Sequence, residues 1–167
     1  MIMEVIHARG HPSIRATHAS TIEVTREEHL TERGDCIIGV AADKSPRDFS
    51  GSFKEALRRD DSILIVVFKV GDFSDFILAQ GSSRLVVDDP VKLIIRRSLF
   101  VEPATVGIRA NKAARDIDRG LVNALRNPGS LLEVRLYVIR LGEIESIYAG
   151  PRSILEDEPG SHVDPAG

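Results

Sequence analysis

Residues 39 to 58 read GVAADKSPRDFSGSFKEALR, and 68 positions later residues 107 to 126 read GIRANKAARDIDRGLVNALR. Both fit G-[VI]-x-A-[DN]-K-x-x-R-D-[FI]-x-x-x-[FL]-x-x-A-L-R without a gap. A match of this length constrains the fold more than any local propensity, because whatever one segment forms the other is expected to form as well. The similarity weakens upstream but persists: ARG at Ala8 to Gly10 resembles AQG at Ala79 to Gly81, and TIEVTR at Thr21 to Arg26 resembles KLIIRR at Lys92 to Arg97. The expectation is one globular domain over residues 1–150, built from an internally duplicated, pseudo-twofold unit with repeats at about 8–60 and 79–128.

Each repeat has a legible plan. From Ile14 to Val24 apolar and polar residues alternate, which predicts a half-buried strand. CIIGVAA, bounded by Gly34-Asp35 and Asp43, predicts a second and more buried strand. Ser45-Pro46-Arg47-Asp48 has the form of a helix start, with Ser45 as N-cap and Asp48 closing a capping box. Phe49, Phe53, Ala56 and Leu57 then share one helical face, as do Ile117, Leu121, Ala124 and Leu125 in the second copy. Between the copies, SILIVVFKV and FSDFILAQG predict two strands turning at Gly71-Asp72. VKLIIRRSLF is assigned to a strand by its alignment with TIEVTR, and LLEVRLYVIRL predicts a final strand over 131–141. Residues 151–167, with the acidic Gly/Pro-rich stretch from Glu156 on, are expected to form a disordered tail. The fold class expected is α+β: a mostly antiparallel or barrel-like sheet with two equivalent helices.

Composition narrows the function classes. With 43% hydrophobic residues in 167 the chain has material for a real core. Its 22 basic and 25 acidic residues leave a net charge of −3, so no global positive field draws it to nucleic acid. The apolar run Ile63 to Phe68 is far shorter than the roughly 20 residues of a membrane helix. MIMEVIHARG lacks the pattern of a secretory signal, so a cytoplasmic location is expected. The single cysteine, Cys36, excludes an internal disulfide and reads as a small buried hydrophobe.

RGHPSIRATHASTIEVTREEHLTERGDCIIGVAADKS, followed by IRRSLFVEPATVGIRANKAARDIDRGLV, resembles the mainly archaeal family called domain of unknown function 371, over roughly residues 5 to 140. The most specific pieces are G-H-P…T-H, L-T-x-x-G-D-C-I-I-G-V and A-[DN]-K-x-A-x-D. The resemblance implies an archaeal cytoplasmic protein and carries over no activity, cofactor or site residue. LTERGDCIIGV is also similar to the Gly-Asp-bounded turn of cradle-loop β-barrels; the second copy has VEPATVGI there, without Gly-Asp.

Three functional readings follow. The first is a binding domain for a phosphate-bearing ligand, small molecule or RNA. Lys44 with Arg47, and Lys112 with Arg115, sit where a strand meets a helix start, and Arg96 and Arg97 extend the basic strip. The alternative for these residues is a solvated turn in which Asp48 and Asp116 complement the helix dipoles. No P-loop or G-x-G-x-x-G pattern is present, and aromatic residues, 5% of the chain, are too sparse for a base-stacking platform. The second reading is a small hydrolase- or isomerase-like enzyme with His18 as acid–base and His11, Thr17 and Asp35 around it. Against it stands a structural histidine on the apolar face of a strand. The third is a structural or interaction protein, with homodimerisation through sheet edges. No metal site is expected, because His7, His11, His18 and His29 follow no ligand spacing; no cofactor is indicated. Seven positions separate His11 from His18, an odd number, so one unbroken strand would turn them to opposite faces.

Overall fold

The computed structural model describes residues 1–30, 34–146 and 148. Its regular elements are β1 (Ile2–Arg9), β2 (Thr21–Thr25), β3 (Ile37–Gly39), α1 (Gly51–Leu57), β4 (Ser62–Val70), β5 (Phe73–Gln80), β6 (Lys92–Arg96), β7 (Thr105–Gly107), α2 (Arg119–Ala124) and β8 (Leu131–Arg140). They build two four-stranded sheets, ordered β1-β8-β4-β5 and β3-β2-β6-β7. The first sheet is antiparallel throughout. In the second, β2 and β6 run antiparallel while the short β3 and β7 add in parallel at the edges. The fold is thus α+β with mostly antiparallel sheets and few helices.

The core lies between the sheets. Ile6, Leu64, Val66, Phe68, Ile77, Leu132, Val134 and Leu136 meet Ile22, Val24, Ile38, Leu93, Ile95 and Val106 there. Phe53 and Leu57 of α1, Leu121 of α2 and Leu125 at its C-cap close its sides, all fully buried. Each such side chain contributes about 1.5–3 kcal/mol relative to exposure. The face Phe49, Phe53, Leu57 and its counterpart Ile117, Leu121, Leu125 are therefore core-forming as expected, with Ala56 and Ala124 partly buried beside them.

Exchanging β1 with β5, β2 with β6, β3 with β7 and β4 with β8 leaves both strand orders unchanged. The local geometry follows the same exchange. Among the described residues four non-glycine residues have left-handed backbone: Ala16 and Val87, 71 positions apart, and Ala41 and Arg109, 68 apart. Gly10 presses on the carbonyls of Leu125 and Asn127 at the end of α2, and Gly81 on those of Leu57 and Arg59 at the end of α1; a Cβ at either would overlap those oxygens.

Three expectations change. The segment from Ile14 to Ser20 is not strand: the left-handed turn at Ala16 (φ 50°) breaks the extended run, and β2 begins only at Thr21. Ile14 and Ala16 are nonetheless fully buried, which is why the sequence alternates there. The helix start at Ser45 yields one 3-10 turn, Pro46–Asp48. Phe49 then turns extended (ψ 148°), and α1 begins separately with the Ser50 hydroxyl accepting from the Phe53 N–H at 3.2 Å. Among the described residues no sheet closes into a barrel; single bridges, Arg9 to Val40 and Gln80 to Ile108, link the two sheets at their corners. The final strand matches expectation within a residue, the hairpin turns at Gly71-Asp72, and the strand assigned to KLIIR is present. The proposed tail, 151–167, lies outside the described residues. No helix of the described residues is long and apolar enough to cross a membrane.

Candidate functional site

The basic residues at the helix starts are already partnered. Lys44 Nζ lies 3.0 Å from Glu4 Oε1, whose other oxygen accepts from the Ser50 N–H at 2.8 Å. Lys112 repeats the arrangement with Asp75, at 2.6 Å, and Asp75 also accepts from the Asp118 N–H at 2.8 Å. Burial alone would raise the Asp75 carboxyl, but the Lys112 and backbone hydrogen bonds outweigh it and hold the group below its ordinary value. Arg47 reaches Asp88, Arg97 lies 3.8 Å from Asp116, and Arg115 lies 3.9 Å from the same carboxylate. Arg96 binds Glu102 at 2.6 Å and Thr105 at 3.2 Å, and stacks over Phe100. The 3-10 turn of each half packs on the loop of the other, with the Arg47 N–H donating to the Asp89 carbonyl and the Arg115 N–H to that of His18. No hydrogen bond or ion pair joins Lys44 or Arg47 to Lys112 or Arg115 among the described residues.

The histidines of GHPSIRATH act as turn acceptors. His18 is half-buried, and its Nδ1 accepts from the N–H groups of Ser20 and Thr21, both at 3.1 Å, and from the Thr21 hydroxyl at 2.9 Å. That use of Nδ1 leaves the ring proton on Nε2. Asp89, in the corresponding loop, does the same with Val91 and Lys92, at 2.8 and 2.7 Å. His11 Nδ1 accepts from the Ser13 N–H at 3.0 Å, as the Ser82 hydroxyl does from Arg84 at 3.2 Å. Thr17 and His18 meet Asp35 through backbone only, both N–H groups donating to its carbonyl. His11 borders a cleft of about 370 Å³ with Arg9, Glu28 and Val40; His18, Thr17 and Asp35 do not line it. His7 stands 3.4 Å from Asp43, and no cluster of three or more metal-ligating side chains occurs among the described residues.

A different group of residues forms a site. In β2 and β6, Ile22, Val24, Leu93 and Ile95 point into the core, so by alternation Thr21, Glu23, Thr25, Lys92, Ile94 and Arg96 share the opposite face. That face is covered: Thr21, Glu23, Thr25 and Ile94 are all buried. Glu23, 7% exposed, lies at the middle of the sheet, opposite Ile94. It borders a cleft of about 310 Å³ lined also by Thr25, Glu27, His29, Cys36 and Lys92. A second cleft, about 330 Å³, begins on the other side of Lys92 and reaches Glu102.

The electrostatics of this cleft are unusual. Burial raises the Glu23 carboxyl above its ordinary value of 4.5; the charges of Glu27 and Glu102 add to the rise, and Lys92 and the Cys36 thiol oppose it. Cys36 Sγ donates to Glu23 Oε1 at 3.8 Å. Burial and the Glu23 charge together push the thiol up to about 11, so Cys36 is protonated at neutral pH and is not a nucleophile. Among the described residues Glu23 forms no ion pair within 4.0 Å. A carboxylate raised by desolvation and facing a cleft can accept hydrogen bonds from a cation or exchange a proton with a ligand.

Comparison with known proteins gives the family of the chain. The family model described as domain of unknown function (DUF371) matches residues 6–139. The chain belongs to that family. An uncharacterized protein of the archaeon Methanocaldococcus jannaschii is 41% identical over 128 residues, covering 77% of this chain and 94% of the relative. For this DUF371 domain the matched span includes every strand from β2 to β7, and with them Glu23, Cys36 and Lys92. The sequence signal that points to Glu23 is its alignment with Ile94 in TIEVTR and KLIIRR: an acid stands in one segment where the other carries an aliphatic residue.

Proposed function

We propose that this protein is a ligand-binding domain whose site is the Glu23 cleft, and that its ligand is a small polar molecule carrying a protonated amino or guanidinium group. The observation that carries this reading is the burial of the Glu23 carboxylate in the middle of a sheet with the Cys36 thiol as its one side-chain hydrogen-bond partner among the described residues. A buried carboxylate with no ion pair among the described residues costs several kcal/mol, and Ile94 across the ladder holds a neighbouring position without that cost. A cationic ligand would supply the missing charge. Glu27 and Glu102 add negative potential, against which Lys92 is, among the described residues, the one lysine or arginine bordering the cleft. The phosphate reading at the helix starts has less support, because Glu4 and Asp75 already neutralise Lys44 and Lys112. We also infer that the two halves descend from one duplicated unit. The exchangeable strand orders, the paired left-handed residues and the matching Lys44 and Lys112 ion pairs support that origin.

The test is thermal-shift screening of the full chain against arginine, lysine, putrescine and spermidine beside nucleotides and phosphorylated sugars. A rise in melting temperature with an amine, absent in Glu23→Gln, is the expected result. A rise with phosphorylated compounds alone, abolished by Lys44→Ala or Lys112→Ala, overturns it.

A further inference from the structure

The sheet β1-β8-β4-β5 has a second face, turned away from the core. Strand register arranges it in rows. Met3, Tyr137, Ile65 and Leu78 lie side by side across the four strands; Val5, Arg135, Val67 and Phe76 form the next row; His7, Glu133, Lys69 and Ser74 form the third. Beyond the first row come Ile139 and Ile63. Nine of these side chains are apolar, and Met3, Phe76 and Leu78 are 48%, 49% and 40% exposed. With strands about 4.8 Å apart and rows about 6.8 Å apart, the apolar part covers on the order of 300 Å² in projection. A contiguous apolar patch of this scale matches the largest on an ordinary monomer, which is often functional.

We propose that this face is a homodimer interface, with two copies packed sheet to sheet about a twofold axis running parallel to the strands and midway between β8 and β4. That operator lays β8 of one copy over β4 of the other, and β1 over β5. Tyr137 then meets Ile65, Ile139 meets Ile63, Met3 meets Leu78 and Val5 meets Phe76, at the roughly 10 Å separation of packed sheets. In the polar row Glu133 meets Lys69, twice by symmetry, which is the charge match that selects this arrangement. An axis perpendicular to the strands would lay the polar row over Ile63 and Ile139, burying charge against aliphatic chains. Arg135, which this operator lays over Val67, is hydrogen-bonded to Glu133 and Tyr137 on either side of it along its own strand, so its guanidinium is satisfied within its own copy. The chain's own end is the rival occupant, but residues 149–167 hold only three aliphatic side chains larger than alanine, Ile154, Leu155 and Val163, against nine apolar side chains on the face.

Sedimentation equilibrium of the full chain tests this. The expected species is a dimer of twice the 18.3 kDa chain mass. Leu78→Glu, at an exposed position, and Lys69→Glu, which sets two acids face to face, each weaken it by roughly tenfold or more. Lys69→Glu combined with Glu133→Lys restores it. Far-UV circular dichroism and an unchanged melting temperature at matched monomer fraction show that the variants fold. A monomer at every concentration, a dimer indifferent to both substitutions, or a dimer formed only after residues 149–167 are removed overturns the proposal.

Discussion

Glu23 and Ile94 face each other across the β2–β6 ladder, so that a buried carboxylate and an aliphatic side chain hold neighbouring positions in the middle of one sheet. The exchange of strands that preserves both sheets carries each of these residues onto the other. The difference between them is therefore a local departure from that exchange, and it coincides with the polar cleft.

That departure has a pH signature. The folded-state carboxyl of Glu23 is raised above 4.5, so the native state holds its proton to higher pH than the unfolded chain. The group's stabilising contribution is complete below the unfolded value and is lost as pH rises through the folded value. Glu23→Gln removes the penalty. The variant is expected to exceed the parent in stability at pH 8 by about 1 kcal/mol, with the gap narrowing below pH 4.5. Urea denaturation at a series of pH values measures it; a gap independent of pH contradicts the account.

Cys36 reports on the same carboxylate. With the thiol pushed up to about 11 by burial and by Glu23, alkylation by iodoacetamide at pH 8 is expected to be slow in the native protein and fast in urea. Because the Glu23 charge is the second cause of the rise, Glu23→Gln should speed native alkylation several-fold. An unchanged rate would show that burial alone governs the thiol.

The two lysine ion pairs are structural. Asp75→Asn leaves Lys112, a half-buried cation, without its partner and is expected to cost about 2 kcal/mol, with Glu4→Gln costing a similar amount at Lys44. Asp75 is depressed in the folded state, so its contribution is present above the ordinary value of 3.8 and is lost as pH falls through the folded value. Thermal melts at pH 7 and pH 2.5 check this: the difference between parent and Asp75→Asn should shrink at the lower pH.

His18 is interchangeable with the residue that holds its place in the other loop. His18→Asp keeps an acceptor for the Ser20 and Thr21 N–H groups, as Asp89 does for Val91 and Lys92. It should retain most of the parent stability. His18→Ala loses the acceptor and is expected to cost about 1 kcal/mol. Equal losses in both variants, read from denaturation midpoints, would remove the acceptor role.

Much of the fold was legible because repetition and periodicity are local. The strand at Lys92–Arg96 was recovered from its alignment with TIEVTR, and the hairpin from Gly71-Asp72, where Gly71 adopts φ 56°. GHPSIRATH misled because burial at Ile14, Ala16 and Ile22 produces a two-residue alternation even where a left-handed residue ends the strand. The partners of Lys44 and Lys112 lie 40 and 37 positions away in β1 and β5, a pairing that only the tertiary structure supplies. Glu23 escaped for a related reason. Its parity places it opposite the core, which in a two-layer fold reads as solvent, whereas Leu30, Gly34 and Cys36 from the segment between β2 and β3 line the cleft above it.

The central claim is that Glu23 is a desolvated carboxylate awaiting a cation. NMR titration of its side-chain carboxyl carbon, with the chain free and saturated with the amine that gives the largest thermal shift, tests this directly. The account predicts a midpoint above 4.5 in the free protein that falls when the amine binds. An ordinary midpoint, unmoved by any amine, would contradict it.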